Sequence, residues 1–166
     1  MDIERLFNDR KYLENEIIFF IRKKHIRSIS KNKELVISHL KKAKHNFEFY
    51  KLNKKYSKFN DWLIVTLYYV LYHSALALIT NKEFSSKNHY ATILLLIKEY
   101  SLTKDEIKLL NDLSINKDDA EFYTQLKEDR HEASYTTNIK FNQEIINDYE
   151  DKVLDFINKT EELISL

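Results

Sequence analysis

The chain has 166 residues, 43% of them apolar and 32% charged, with a net charge of +1 and no glycine, proline or cysteine. That length suits one domain spanning residues 1–166 with a real core and is too short for two comfortable ones. Without glycine and proline most tight hairpin turns lose their usual residues, so strand-rich folds are unexpected; without cysteine, disulfides and thiolate metal sites are excluded and chemistry falls to His, Arg, Tyr and carboxylates.

In chain order, Ile3, Leu6, Phe7, Leu13, Ile17, Ile18 and Phe20 or Ile21 return at three- and four-residue steps and predict a first helix over about 2–24. After a break at 28–33, Leu35, Val36, Leu40, Ala43, Phe47 and Tyr50 predict a second helix to about Tyr56. Asn60 suits the N-cap of a third, nearly all-apolar helix, with Asp61 at its positive end. Ser86 or Asn88 can start a fourth helix through Tyr100, and Thr103-Lys104-Asp105-Glu106 has capping-box spacing for a short fifth. A sixth is predicted over about 118–134. A last one from about Asn142 should place Ile145, Tyr149, Val153, Phe156, Ile157, Thr160 and Leu163 on one face. The fold class expected is all-α: an antiparallel up-and-down bundle of four to five core helices plus one or two short extra helices.

Charge is unevenly spread. Residues 22–58 hold 13 Lys or Arg against Glu34 and Glu48, whereas 101–166 hold 8 basic and 16 acidic residues. The basic stretch, interleaved with His25, His39, His45, Tyr50 and Tyr56, can hold a nucleic-acid backbone or can pair with the acidic half. The start of the chain lacks the basic-then-apolar layout of a secretory signal, so a cytoplasmic protein is expected. Trp62 to Ile79 is the one stretch apolar enough to pass for a membrane span; amphipathic partner helices favour a buried central helix and no membrane.

On that third helix Thr66, His73 and Thr80 are spaced by sevens and Tyr69 lies four before His73, so these polar groups share a stripe. Such a stripe either lines a site or is hydrogen-bonded within a core or dimer seam. His89, near a helix start beside Lys87, can meet an anion there or simply serve the turn. No helix offers two histidines at a four-residue step, so no metal is expected.

The run from Tyr68 and Tyr69 through Tyr72-His73-Ser74-Ala75, then Ser86-Lys87-Asn88-His89, then Arg130 with Ala133 and Tyr135, resembles the HEPN family (higher eukaryotes and prokaryotes nucleotide-binding). The resemblance covers about 39–163 and leaves 1–30 as an N-terminal helical extension. It implies a four- or five-helix bundle, usually a homodimer, often encoded beside a small nucleotidyltransferase in prokaryotic toxin-antitoxin pairs. RNA is the substrate it implies, with no cofactor. Active members cleave it without metal, through an arginine and a histidine about one helical turn later.

Here Tyr135 stands where that histidine would, His131 lies on an adjacent angle, and a phenol titrating near 10 is a poor base at neutral pH. Thr66 stands where relatives often carry a basic residue. The expected function is therefore a dimeric module binding RNA, a nucleotide or a protein partner, with a degenerate nuclease motif. Arg130, Tyr135 and His73 are the candidate catalytic residues, and Tyr69, Lys87, His89 and His131 the candidate ligand-binding ones. The alternatives are a metal-independent ribonuclease toxin using Arg130 with His73, His131 or His89, and a non-catalytic helical adaptor.

Overall fold

The computed structural model describes residues 1–56, 60–100, 102–114 and 143–164. Among them are seven helices: α1 (Ile3–Asn8), α2 (Arg10–Arg22), α3 (Lys33–Lys54), α4 (Asn60–Asn81), α5 (His89–Glu99), α6 (104–114) and α7 (Gln143–Ile164). The all-α helical bundle holds. The sixth helix expected over 118–134 lies outside the described residues.

Short polar side chains start most of these helices. Asp2, Asp9, Asn32 and Asn88 each accept a hydrogen bond from the backbone N–H three residues on, satisfying a donor that the first turn leaves without a partner. Asp9 also breaks the expected first helix in two, since it ends α1 and caps α2. Of the two starts open for α5, Asn88 is the one used. The capping box before α6 forms in both directions: Thr103 N–H donates to the Glu106 carboxylate at 2.6 Å, and Glu106 N–H donates to the Thr103 hydroxyl at 3.3 Å.

Two short strands were not expected. β1 (Ile26–Ser28) pairs antiparallel with β2 (Phe84–Ser86), Ile26 opposite Ser86 and Ser28 opposite Phe84. No tight turn is needed, because the whole α3–α4 hairpin connects the strands. The helix exits before each strand do require a left-handed residue, and with no glycine in the chain Lys24 (φ 60°) and Glu83 (φ 64°) fill those positions. At the first of them His25 N–H reaches back to the Phe20 carbonyl and Lys24 N–H to that of Ile21.

The centre is α4. Leu63, Ile64, Leu67, Val70, Leu71, Ala75, Ala77, Leu78 and Ile79 are all but inaccessible, packed by α3, α5 and α7. Its apolar length is thus explained by burial inside the bundle: 78% of the most apolar window is covered by protein. Ser74, Thr66 and Thr160 return their hydroxyls to the carbonyl four residues earlier, which lets them sit inside without an orphaned donor.

α3 contributes Val36, Leu40, Ala43, Phe47 and Tyr50, as the periodicity predicts. α7 differs by one step. Ile146 and Ile164 go inside while Ile145 and Leu163 stay exposed, because Val153, Phe156, Ile157 and Thr160 set the buried face and the outer pair lies off its axis. Ile18 and Ile21 of α2 are likewise exposed although the pattern placed them on the core face; Leu13 and Ile17 hold it instead.

The basic and acidic halves meet in part within the chain. Lys44 pairs with Glu161, and Lys54 with Glu150, which also accepts the Tyr50 hydroxyl at 3.1 Å. These contacts run α7 antiparallel to α3. α6 is tied to α7 by Lys159 on Glu106 at 2.6 Å and to α1 by Lys104 on Glu4 at 2.5 Å.

Candidate functional site

Between Trp62 and Thr80, α4 is open along one stripe. Trp62 (48% exposed) and Tyr69 (38%) face outward, and Tyr72, His73 and Leu76 are half-buried beside them. These positions recur at three, four and seven, so they line one side of the helix, flanked by α3 and by the start of α5. Thr66 and Thr80, the other members of the sevenfold spacing, are buried instead. Thr66 is close to the stripe in angle, but its hydroxyl is spent on the Trp62 carbonyl at 2.7 Å.

Across this stripe His73 meets His39 of α3, Nδ1 to Nδ1 at 3.2 Å with ring centroids 5.5 Å apart. One ring must donate its N–H and the other present its lone pair, so the pair is satisfied when both are neutral. Burial, then the neighbouring His39 ring and the Lys42 ammonium, push His73 down to about 4, and burial lowers His39 as well. At neutral pH His73 is therefore an uncharged acceptor or donor and supplies no positive charge to a phosphate.

His39 was absent from the expected site set. A signal for it does exist: His39 and His73 each lie 17 residues from position 56, beside the α3–α4 turn, and an antiparallel hairpin brings equidistant residues level.

His89 lies on the other side of the stripe, reached through aromatic rings. Tyr68 and Tyr72 stack at 5.7 Å, and His89 sits 5.7 Å from Tyr68 and 6.3 Å from Tyr72. Tyr72 in turn is 6.2 Å from His73, so one tyrosine stands between the two candidate histidines. Its own hydroxyl is held protonated above the usual phenol range by burial and the nearby Tyr69.

The turn leading to His89 is fixed by its own hydrogen bonds. The Ser86 hydroxyl donates to the Asn88 carbonyl at 2.9 Å and accepts from Asn88 N–H, while Lys87 N–H bonds the His25 carbonyl in the ribbon. Lys87 itself projects to solvent. His89 also borders a cleft of about 440 Å³ with Asp2, Tyr12, Glu16 and Tyr90. Two carboxylates there oppose an anion, so the start of α5 is a poorer anion seat than its position in the chain suggests.

The structure thus gathers Tyr69, His73 and His89 along α4 and the start of α5, with Lys87 at the adjoining turn. Arg130, His131 and Tyr135 lie outside the described residues. Among the described residues no group of three or more His, Asp or Glu side chains is arranged to hold a metal ion. Comparison with models of known protein families gives no match to this chain, and comparison with curated proteins gives none either.

Proposed function

We propose that the chain is a HEPN-like helical module that binds RNA or a nucleotide, as a homodimer, over the open stripe of α4. One observation carries the reading. A helix otherwise enclosed by the bundle leaves uncovered the side that bears Trp62, Tyr69, Tyr72 and His73, which are ring systems suited to stacking on bases and hydrogen-bonding their edges. Positive charge for the phosphates then falls to Lys42, Lys87 and Arg130, because His73 is neutral. Binding with little catalysis fits this division of labour, and a nucleotidyltransferase encoded alongside is the protein partner the resemblance implies.

The test is fluorescence anisotropy of labelled single-stranded RNA, and competition by ATP, with wild-type protein and with Tyr69→Ala and Arg130→Ala. Loss of one stacking ring should weaken RNA binding about tenfold, on the order of 1–3 kcal/mol per stacked base. Unchanged affinity in both folded variants would overturn the reading.

The His39–His73 contact favours a second reading, metal-free RNA cleavage. In the ring that donates its Nδ1–H, the Nε2 lone pair is free to take the 2′-hydroxyl proton as that oxygen attacks, and the imidazolium so formed can return the proton to the departing oxygen. Cleavage in EDTA that disappears in His73→Ala and in Arg130→Ala would establish it; an inert wild-type dimer, alone and with its partner, would remove it.

A further inference from the structure

Among the described residues, several basic residues of the 22–58 stretch are paired within the chain, and those before α3 and at its start are not. On α3, Lys44 and Lys54 are neutralised by α7, and Lys51 by Glu48. Between 22 and 33 stand Arg22, Lys23, Lys24, Arg27, Lys31 and Lys33 with no carboxylate among them, and none of the six is in an ion pair among the described residues. All six are exposed.

The β-ribbon decides where this charge goes. β1 lies against β2, and the bond from Lys87 N–H to the His25 carbonyl continues the pairing, so the basic segment is fastened to the turn that precedes His89. Arg27 stands opposite Ser85, and because Ile26 is buried, Arg27 projects from the outer face of the ribbon. Lys82 and Lys87 flank the same strand, with Glu83 the one acid between them. The exposed face is otherwise serine and charge, groups that hydrogen-bond phosphate oxygens.

We infer that the N-terminal extension is a phosphate-docking element, whose ribbon end grips the RNA sugar–phosphate backbone and feeds the strand onto the α4 stripe. The inference rests on the RNA reading above and adds a place and a role for residues outside the family resemblance. A neutral His73 needs such help, since the stripe itself holds bases better than phosphates. The backbone pairing of the ribbon is already formed, so binding has to order side chains rather than main chain.

The experiment measures anisotropy of a fluorescein-labelled 20-nucleotide single-stranded RNA from 50 to 300 mM KCl, with circular dichroism confirming each fold. Lys23→Gln/Arg27→Gln/Lys31→Gln should bind at least tenfold more weakly at 50 mM KCl. Its slope of log affinity against log salt should fall by about 2, from roughly 0.7 per lost phosphate contact. Lys98→Gln/Lys108→Gln/Lys152→Gln, an equal change of charge elsewhere, should stay within twofold of wild type.

Equal weakening by both triple variants, or by neither, overturns the docking role while leaving RNA binding intact. Wild-type protein that ignores RNA overturns the RNA reading and the docking role with it. In that case, sedimentation with vesicles containing 30% phosphatidylserine, lost in the ribbon variant, would give this end to a membrane, where the exposed Ile18, Phe19 and Ile21 of α2 would insert.

Discussion

Acidification from pH 7 to pH 5 should destabilise this protein, and the His39–His73 pair should be the reason. In the unfolded chain an imidazole takes up its proton near 6.5; in the fold His73 resists until about 4. Between those values the unfolded state binds more protons, so stability rises with pH and is lost as pH falls through the window. The full displacement corresponds to roughly 3 kcal/mol at pH 4 and about 2 kcal/mol at pH 5. The ring is only half-buried and solvent screens it, which reduces the expected loss from pH 7 to pH 5 to about 1 kcal/mol.

His39 acts in the same direction, and because the rings touch, the protons belong to the pair rather than to either ring. Two paired carboxylates act mostly at lower pH than this window. Glu4, drawn down by its hydrogen bond and charge pairing with Lys104, titrates below the ordinary carboxylate value of 4.5. Glu106 does too: burial opposes its charge, but Lys159 and the Thr103 N–H and hydroxyl outweigh it. Both contribute stability that is lost as pH falls from the ordinary carboxylate value through their lowered ones, mostly beneath the pH 7 to 5 range.

The assay is urea unfolding followed by circular dichroism at pH 7, 6 and 5, for wild type and His73→Phe. The wild-type midpoint should fall across the series and the variant's should fall by less than half as much. Parallel lines for the two proteins would refute the assignment of the window to this pair.

Two further substitutions probe how a glycine-free chain closes its helices. Glu83→Gly should raise stability by about 0.5–1 kcal/mol, since Glu83 holds a left-handed conformation that costs a side-chain-bearing residue more than glycine; a lower melting temperature would contradict it. Thr103→Ala should cost about 1 kcal/mol by removing half of the capping box before α6, read as a lowered urea midpoint with unchanged slope.

How much of this was legible in the sequence differs from element to element. The helical class and the positions of α3, α4, α5, α6 and α7 follow from periodicity, with Asn88 and Thr103, whose capping chemistry is local, marking the starts of α5 and α6. The faces of α2 and α7 were misjudged where apolar residues are adjacent in sequence, as at Ile145 and Ile146. A one-residue step rotates a helix by about 100°, and only the partner helix decides which of two isoleucines goes inside. The β-ribbon was illegible for another reason: three-residue strands carry almost no periodicity, and their pairing spans the α3–α4 hairpin.

The site shows the same divide between local and non-local information. Tyr69, His73 and His89 could be picked out singly, since each sits in a recognisable run, but their grouping around Tyr72 is a product of α4 meeting the start of α5. His39 is the sharper case. In sequence it is one of three histidines in a lysine-rich stretch, and nothing in that stretch separates it from His45. Folding does: His45 stays exposed while His39 turns against His73. An isolated half-buried imidazole on α4 would be an ordinary polar residue seeking a partner, whereas two rings bonded through Nδ1 satisfy each other while uncharged, and burial lowers both below the usual imidazole value, so the pair is a product of α3 meeting α4 rather than of either run of sequence.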